Sequence, residues 1–381
     1  MSQHSQIVSF DMVRLLQPLQ DELHAALQRC LSHGTFVLGP EVLAFEAQLA
    51  HWLDVPHVIG VSSGTDALLA TFLALQQGNG DLARLKPGDE VLTTPFSFIS
   101  SATSILRAGL RPVFVDLQPG CFYPGVDEFA QAWTPKTRAV LAVHLFGEPL
   151  DLIQINKLCV SRRAVLVEDC AQAIGATHSN DRPVGTTGVA GCFSFFPAKN
   201  LGALGDGGAV ITTDETLAAR VREKRQHGQA LRYQFDHLGG NFRLDALQAA
   251  FLSALLPHLD TWIAERRSNA AYYTEHLQQL ARLRPDLLKL PARTPGHAWN
   301  QYVVRSSERN KLRAALQAAG IQTQIYYPTA LHQQGAVASA SPPASLPLAE
   351  KACREVLALP IAPGMTQADR ERVVAAVKTA F

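Results

Sequence analysis

Short apolar runs alternate with helical patterns through the first two-thirds of the chain. The runs are His57–Val61, Glu90–Thr94, Pro112–Val115, Ala139–Leu145, Ala164–Val167, Cys192–Phe196 and Ala209–Thr212. This alternation predicts an α/β fold, a mostly parallel sheet joined by crossover helices. Between the first two runs, Asp66–Gln76 places Leu68, Leu69, Phe72, Leu73 and Leu75 at helical spacing. The turn Lys86-Pro-Gly-Asp89 then precedes the next strand. Helical patterns also cover Met12–Leu31, Val42–Trp52 and a long region from Leu244 to Leu283, bent near Pro257. Beyond Pro285 the pattern changes. Trp299–Val304 reads as a strand, Glu308–Ala319 as a helix closed by Gly320, and Ile321–Tyr327 as a second strand. Thr366 with Asp369 forms a capping-box pattern for a final helix, and Gly335–Pro347 reads as a loop. The expected division is residues 1–256 as an N-terminal segment plus large α/β domain. Residues 257–381 make a linking helix and a small α+β domain.

Composition agrees with that division. At about 150 residues per domain, 381 residues suggest two domains. With 47% hydrophobic and 18% charged residues the chain can bury a large core. Thirty-four Lys+Arg against 33 Asp+Glu leave a net charge of +1, which argues against a broad nucleic-acid or anionic-membrane surface. No apolar run approaches the roughly 18 residues of a membrane span. The start has neither a basic n-region nor an apolar h-region, so no secretory signal is expected. Six cysteines without a C-x-x-C pair suit a reducing cytoplasm.

Three segments carry candidate chemistry. In Cys192-Phe-Ser-Phe-Phe-Pro-Ala-Lys199, an aromatic strand runs into a lysine, and glycines then surround a return strand. Lys199 reads either as a surface lysine lying along Phe196 or as a Schiff-base lysine kept reactive by a dry site. In Val165-Leu-Val-Glu168-Asp169-Cys-Ala-Gln172, two carboxylates end a buried strand. Alternation of faces lets only one of them enter a given site. Asp169, at the strand's C-terminal edge, is the candidate for a pyridine nitrogen and Gln172 for a ring hydroxyl; helix capping is the other reading. In Gly60-Val-Ser62-Ser63-Gly64-Thr65, a strand meets a helix N-terminus and offers N–H groups and hydroxyls to a phosphate. The same stretch matches the hydrolase pattern G-x-S-x-G, but a hydrolase leaves Lys199 unexplained.

Taken together these pieces resemble the DegT/DnrJ/EryC1/StrS family of fold-type I, pyridoxal-phosphate-dependent sugar aminotransferases. The resemblance rests on Gly34–Val42, Ser63–Leu68, Pro87–Val91, Thr94–Phe98, Val143–Gly147, Glu168–Gln172, Phe193–Leu201 and Gly240–Ala250, in order along nearly the whole chain. It implies a seven-stranded sheet between helices and a smaller C-terminal domain. It implies Lys199 as the cofactor's lysine and proton carrier, Asp169 on the pyridinium, and Gln172 on the ring oxygen. Phe98 would stack on the ring, and Gly64, Thr65 and Ser194 would bind the phosphate. Asn241 and Arg243 are implied to reach the neighbouring subunit's site, which requires a homodimer. Tyr326, Tyr327 and His332 match a substrate-contact loop, with Tyr326 and Ala330 departing from the family's His-Tyr-Pro and Pro-Leu-His. The connection Gln76–Arg84 is longer than usual.

The implied reaction moves an amino group from an amino acid, L-glutamate by family habit, to a keto-sugar nucleotide, giving an amino sugar for glycan or antigen assembly. Pyridoxamine 5'-phosphate is the cofactor's intermediate form. Val143–Gly147 and Ser97–Ser101 resemble members acting at C3 of dTDP- or UDP-linked sugars; action at C4 and a non-catalytic regulator are the alternatives. The related 3-dehydratase branch lacks the lysine that this chain keeps.

Overall fold

A computed structural model describes residues 6–77, 84–340 and 345–381. Its centre is a seven-stranded sheet. The strands are β1 His57–Val61, β2 Glu90–Thr93, β3 Arg111–Phe114, β4 Thr137–Val143, β5 Val165–Asp169, β6 Ala190–Ser194 and β7 Gly208–Thr212, in spatial order β1-β7-β6-β5-β4-β2-β3. All seven sequence runs lie on these strands, with ends displaced by at most two residues. Neighbouring pairs are parallel except those of β7, which runs antiparallel to both β1 and β6. The C-terminal ends of β1, β6, β5 and β4 therefore share one edge, and the N-terminal end of β7 joins them. Apolar clusters cover both faces. One includes Phe45, Leu49, Phe193 and Phe195, and the other Ile59, Leu68, Phe72 and Val210. Coverage on both faces is why most of these strands are continuous apolar runs rather than alternating ones.

The C-terminal unit departs from the expected pattern at its second strand. Tyr302–Arg305 (β10) is the expected strand, but Ile321–Tyr327 is not its partner. That segment makes only single bridges, Ile321 to Ile7 and Gln324 to Ala358. The antiparallel partner is Val356–Leu359 (β11), a fully buried Val-Leu-Ala-Leu run. Two further short strands, β8 Gln229–Leu231 and β9 Gln234–Phe235, form an exposed hairpin that hydrophobic patterning did not signal. The N-terminal helical stretch is broken at Pro18 into Met12–Leu16, a 3-10 turn and Gln20–His33. Gly335–Ala338 is a short helix inside the expected loop, and the connection Gln76–Arg84 lies mostly outside the described residues.

Helix Leu259–Leu283 links the two units. Trp262 and Ile263 belong to the first large-domain cluster, whereas Ala270, Tyr273 and Leu277 enter the C-terminal core with Tyr302, Leu357 and Val377. Tyr273 donates to Pro360 O at 2.8 Å, which satisfies its buried hydroxyl. Thr366 and Asp369 form the expected capping box on the last helix. Among the described residues no helix is long and apolar enough to cross a membrane.

Candidate active site

The strand ends converge on a cavity of about 430 Å³ lined by residues of both units. Gly64, Thr65, Phe98, Asp169, Gln172, Ser194, Lys199, Tyr326 and Tyr327 all border it. Each arrives for a local reason. Ser63 caps helix Gly64–Leu75 by accepting from Asp66 N at 3.1 Å, and that leaves the first-turn N–H groups of Gly64 and Thr65 without a partner among the described residues. Those N–H groups and the helix's positive end face a space suited to an anion. Gly64 is required there, because a Cβ would meet Ser194 Cβ at 2.6 Å. Ser62 and Ser63 both donate to Asp66 Oδ2, at 2.8 and 3.1 Å, so Ser62 is a turn residue rather than a hydrolase nucleophile.

At the end of β5 the two carboxylates point to opposite faces, as alternation requires. Glu168 is fully buried away from the cavity. It accepts from Gly185 N, Thr187 N and Gly188 N at 2.7–2.8 Å and from His144 Nε2 at 2.8 Å. His144 Nδ1 accepts from Leu150 N at 3.1 Å, so the hydrogen sits on Nε2. Burial alone works to raise the Glu168 pKa, but the hydrogen bond from His144 and the backbone donors Gly188 and Gly185 outweigh it and hold the carboxyl low. Asp169 borders the cavity. Its pKa is raised, chiefly by burial, against the opposing pull of Ser101, Ala171 N and Lys199.

Lys199 follows β6 and sits in the cavity wall, part-buried, with its backbone N–H donating to Phe196 O at 2.8 Å. Desolvation brings its pKa down to about 8, and the charge of Asp169 opposes the shift. Gln172 uses Oε1 to accept from Phe146 N at 2.7 Å and Nε2 to donate to Tyr327 Oη at 2.9 Å, joining the two units across the cavity. The amide's second N–H stays available. Phe98 is 53% exposed, although apolar, and lies 6.2 Å from the Tyr327 ring, so one face of the cavity is aromatic.

Three candidates lie elsewhere. Asn241 is exposed and bridges to Gln226, and Arg243 bridges to Val61; neither borders the cavity. His332 does not reach the cavity, because its Nε2 turns to Glu350 Oε1 at 3.2 Å and its ring rests near Phe114. The structure adds Ser63, Ser97, Ser100, Asp206 and Gln301 to the wall. Ser97 and Ser101 stand at helical spacing in the sequence, a signal that hydroxyls share one face.

This donor set fits pyridoxal 5'-phosphate. Unpartnered helix-end N–H groups suit the phosphate, a buried carboxylate suits a protonated pyridine nitrogen, and a desolvated amine suits the aldehyde carbon.

Comparison with known proteins agrees. Residues 17–378 match the DegT/DnrJ/EryC1/StrS aminotransferase family. Among curated relatives, a pleiotropic regulatory protein of Geobacillus stearothermophilus is 41% identical, over 96% of this chain and 95% of the relative. UDP-N-acetyl-3-dehydro-alpha-D-glucosamine 3-aminotransferase of Acidithiobacillus ferrooxidans is 38% identical over 99% of both. The dTDP-3-amino-3,4,6-trideoxy-alpha-D-glucose transaminase of Streptomyces venezuelae is 39% identical over 97% of this chain and 94% of its own. The solved structure of S. venezuelae DesV in complex with a ketimine intermediate superimposes with a TM-score of 0.92 at 37% identity, covering 99% of each chain.

Proposed function

The chain belongs to the DegT/DnrJ/EryC1/StrS aminotransferase family, whose members depend on pyridoxal 5'-phosphate, and from that premise we propose that it aminates a dTDP- or UDP-linked 3-keto hexose with L-glutamate as donor. The observation that carries this reading is the desolvated amine of Lys199 sharing one cavity with Asp169 beneath an anion-ready helix end. The C3 assignment is supported by relatives whose names specify 3-amino or 3-dehydro sugars on UDP and dTDP.

When bound, the cofactor supplies the electron sink that stabilises negative charge at the carbon losing its proton. The chain's own residues do the rest. The Gly64 and Thr65 N–H groups with the Ser194 hydroxyl would hold the phosphate. Asp169 holds a proton on the pyridine nitrogen, the free N–H of Gln172 binds the ring oxygen, and Phe98 covers the ring face. With its pKa brought to about 8, Lys199 Nζ is partly neutral near pH 7.5 and can both accept and return a proton. Tyr326 and Tyr327 close the cavity from the small unit, where they meet the sugar. His332, which follows that loop, is hydrogen-bonded to Glu350 and stands outside the cavity. Asn241 and Arg243 complete a neighbouring protomer's site in a homodimer.

The name of the Geobacillus relative favours a regulator as the second reading. It is the weaker one, since regulation by cofactor binding alone gives no reason to keep Lys199 as a free, desolvated amine. Purified protein incubated with glutamate and a panel of UDP- and dTDP-linked 3-keto and 4-keto sugars should aminate the 3-keto members, and Lys199→Ala should abolish turnover. Amination confined to C4, or wild-type turnover by Lys199→Ala, would overturn the proposal.

A further inference from the structure

A chain of two serine hydroxyls ends on Asp169. Ser101 Oγ donates to Asp169 Oδ2 at 2.8 Å, and Ser97 Oγ lies 2.8 Å from Ser101 Oγ. A hydroxyl has one hydrogen. Because Ser101 commits its hydrogen to the carboxylate, it must accept from Ser97, and the chain runs Ser97 to Ser101 to Asp169. The relative exposures are 4%, 0% and 4%, so bulk water does not compete for these bonds.

Helix architecture does not account for Ser101. It lies in the first turn of helix Ser100–Arg107, whose N-cap is Ile99 without a side-chain cap bond. A serine inside a helix commonly bonds back to the carbonyl four residues earlier, as Thr103 does to Ile99 O at 3.2 Å. Ser101 instead crosses to another element. Ser97 and Asp169 border the cavity, while Ser101 stands behind them. The positive end of the same helix adds a favourable field for a carboxylate. Asp169 Oδ1 is held separately, accepting from Ala171 N at 3.1 Å.

We propose that Ser97 and Ser101 are positioning residues that hold Asp169 ionised and aim its remaining acceptor into the cavity. The inference rests on the reading of Asp169 as the partner of the cofactor's pyridine nitrogen. Burial raises the Asp169 pKa and the Ser101 bond is the largest opposing influence, so removing that hydroxyl favours the neutral acid, which offers no negative charge to keep the ring nitrogen protonated.

The test reconstitutes Ser101→Ala, Ser101→Thr, Ser97→Ala and Asp169→Asn with pyridoxal 5'-phosphate. It reads the cofactor dissociation constant and the visible absorption band of the bound cofactor. Ser101→Ala should bind about tenfold more weakly and move the band toward that of Asp169→Asn. Ser97→Ala should shift both in the same direction by less, and Ser101→Thr, which keeps the hydroxyl, should restore wild-type values. Wild-type affinity and spectrum in Ser101→Ala, alongside altered values in Asp169→Asn, overturn the serine chain and leave the Asp169 reading standing. Unchanged values in Asp169→Asn overturn that underlying reading instead. Weaker binding in Ser101→Ala without a spectral shift marks a structural role and also overturns the proposal.

Discussion

Glu168 and Asp169 are neighbours in sequence with opposite fates, and the difference lies in which face of β5 each occupies. Asp169 meets a cavity and few donors; Glu168 meets three backbone N–H groups and an imidazole. Because the folded-state pKa of Glu168 is lowered, its ionised form contributes stability at neutral pH, and this is lost as pH falls through the folded pKa. Glu168→Gln also sets an amide donor against N–H groups, so we expect a loss of about 3–5 kcal/mol in urea denaturation at pH 7. The deficit relative to wild type should shrink toward pH 3. An equal deficit at both pH values would show that ionisation of Glu168 is not what stabilises the fold. Lys199 carries a second prediction. With a pKa of about 8, capture of an aldehyde by the apoenzyme, trapped by cyanoborohydride at this lysine, should reach half its maximal rate near pH 8. A midpoint near that of an ordinary lysine would mean the cavity is wetter than its lining suggests.

At the scale of elements, the cofactor end of the sheet depends on how closely the turn after β1 approaches β6. The Gly64 Cβ position lies 2.6 Å from Ser194 Cβ and 3.2 Å from its Cα, atoms that cannot swing aside. Gly64→Ala should therefore push the helix end away from Ser194, weaken pyridoxal-phosphate affinity by tenfold or more, and leave most of the core intact. Fluorescence titration and a thermal melt separate the two effects; equal affinity would show the turn to be more compliant than drawn. The large sheet was legible in the sequence because each buried strand is a short apolar run bounded by turn residues. The small unit was less so. Ile321–Tyr327 has β-type composition, yet its backbone is used for single bridges and for delivering Tyr326 and Tyr327 to the cavity. Its place is taken by Val356–Leu359, whose run directly continues a helix and so lacks a boundary signal. Lys199, Asp169 and Gly64 could be found from local pattern and resemblance. Ser101 could not, since its importance lies in a contact 68 residues away.

For the whole molecule, the arrangement of a single chain leaves the cavity without two contributors that the family resemblance implies. Asn241 and Arg243 sit on the strip that follows the β8–β9 hairpin, outside the cavity. The hairpin region exposes Leu231, Tyr233, Phe235 and Leu238 at 56–84%, and Phe36 and Val37, paired to the same strip through Asp245, are also exposed. Apolar side chains clustered in this way are uncommon on a monomer's surface and suit burial against a second copy. A composite site makes a prediction that a self-contained one does not. Lys199→Ala should be inactive, and an Asn241→Ala/Arg243→Ala double variant strongly impaired. If each site takes its lysine from one protomer and Asn241 with Arg243 from the other, a mixed dimer carries both lesions in one site and none in the other. Equimolar refolding or subunit exchange makes about half the dimers mixed, so activity should recover to about a quarter of wild type. Mixing without recovery, under conditions where tagged subunits are shown to exchange, would place Asn241 and Arg243 in their own protomer's chemistry or outside the site altogether.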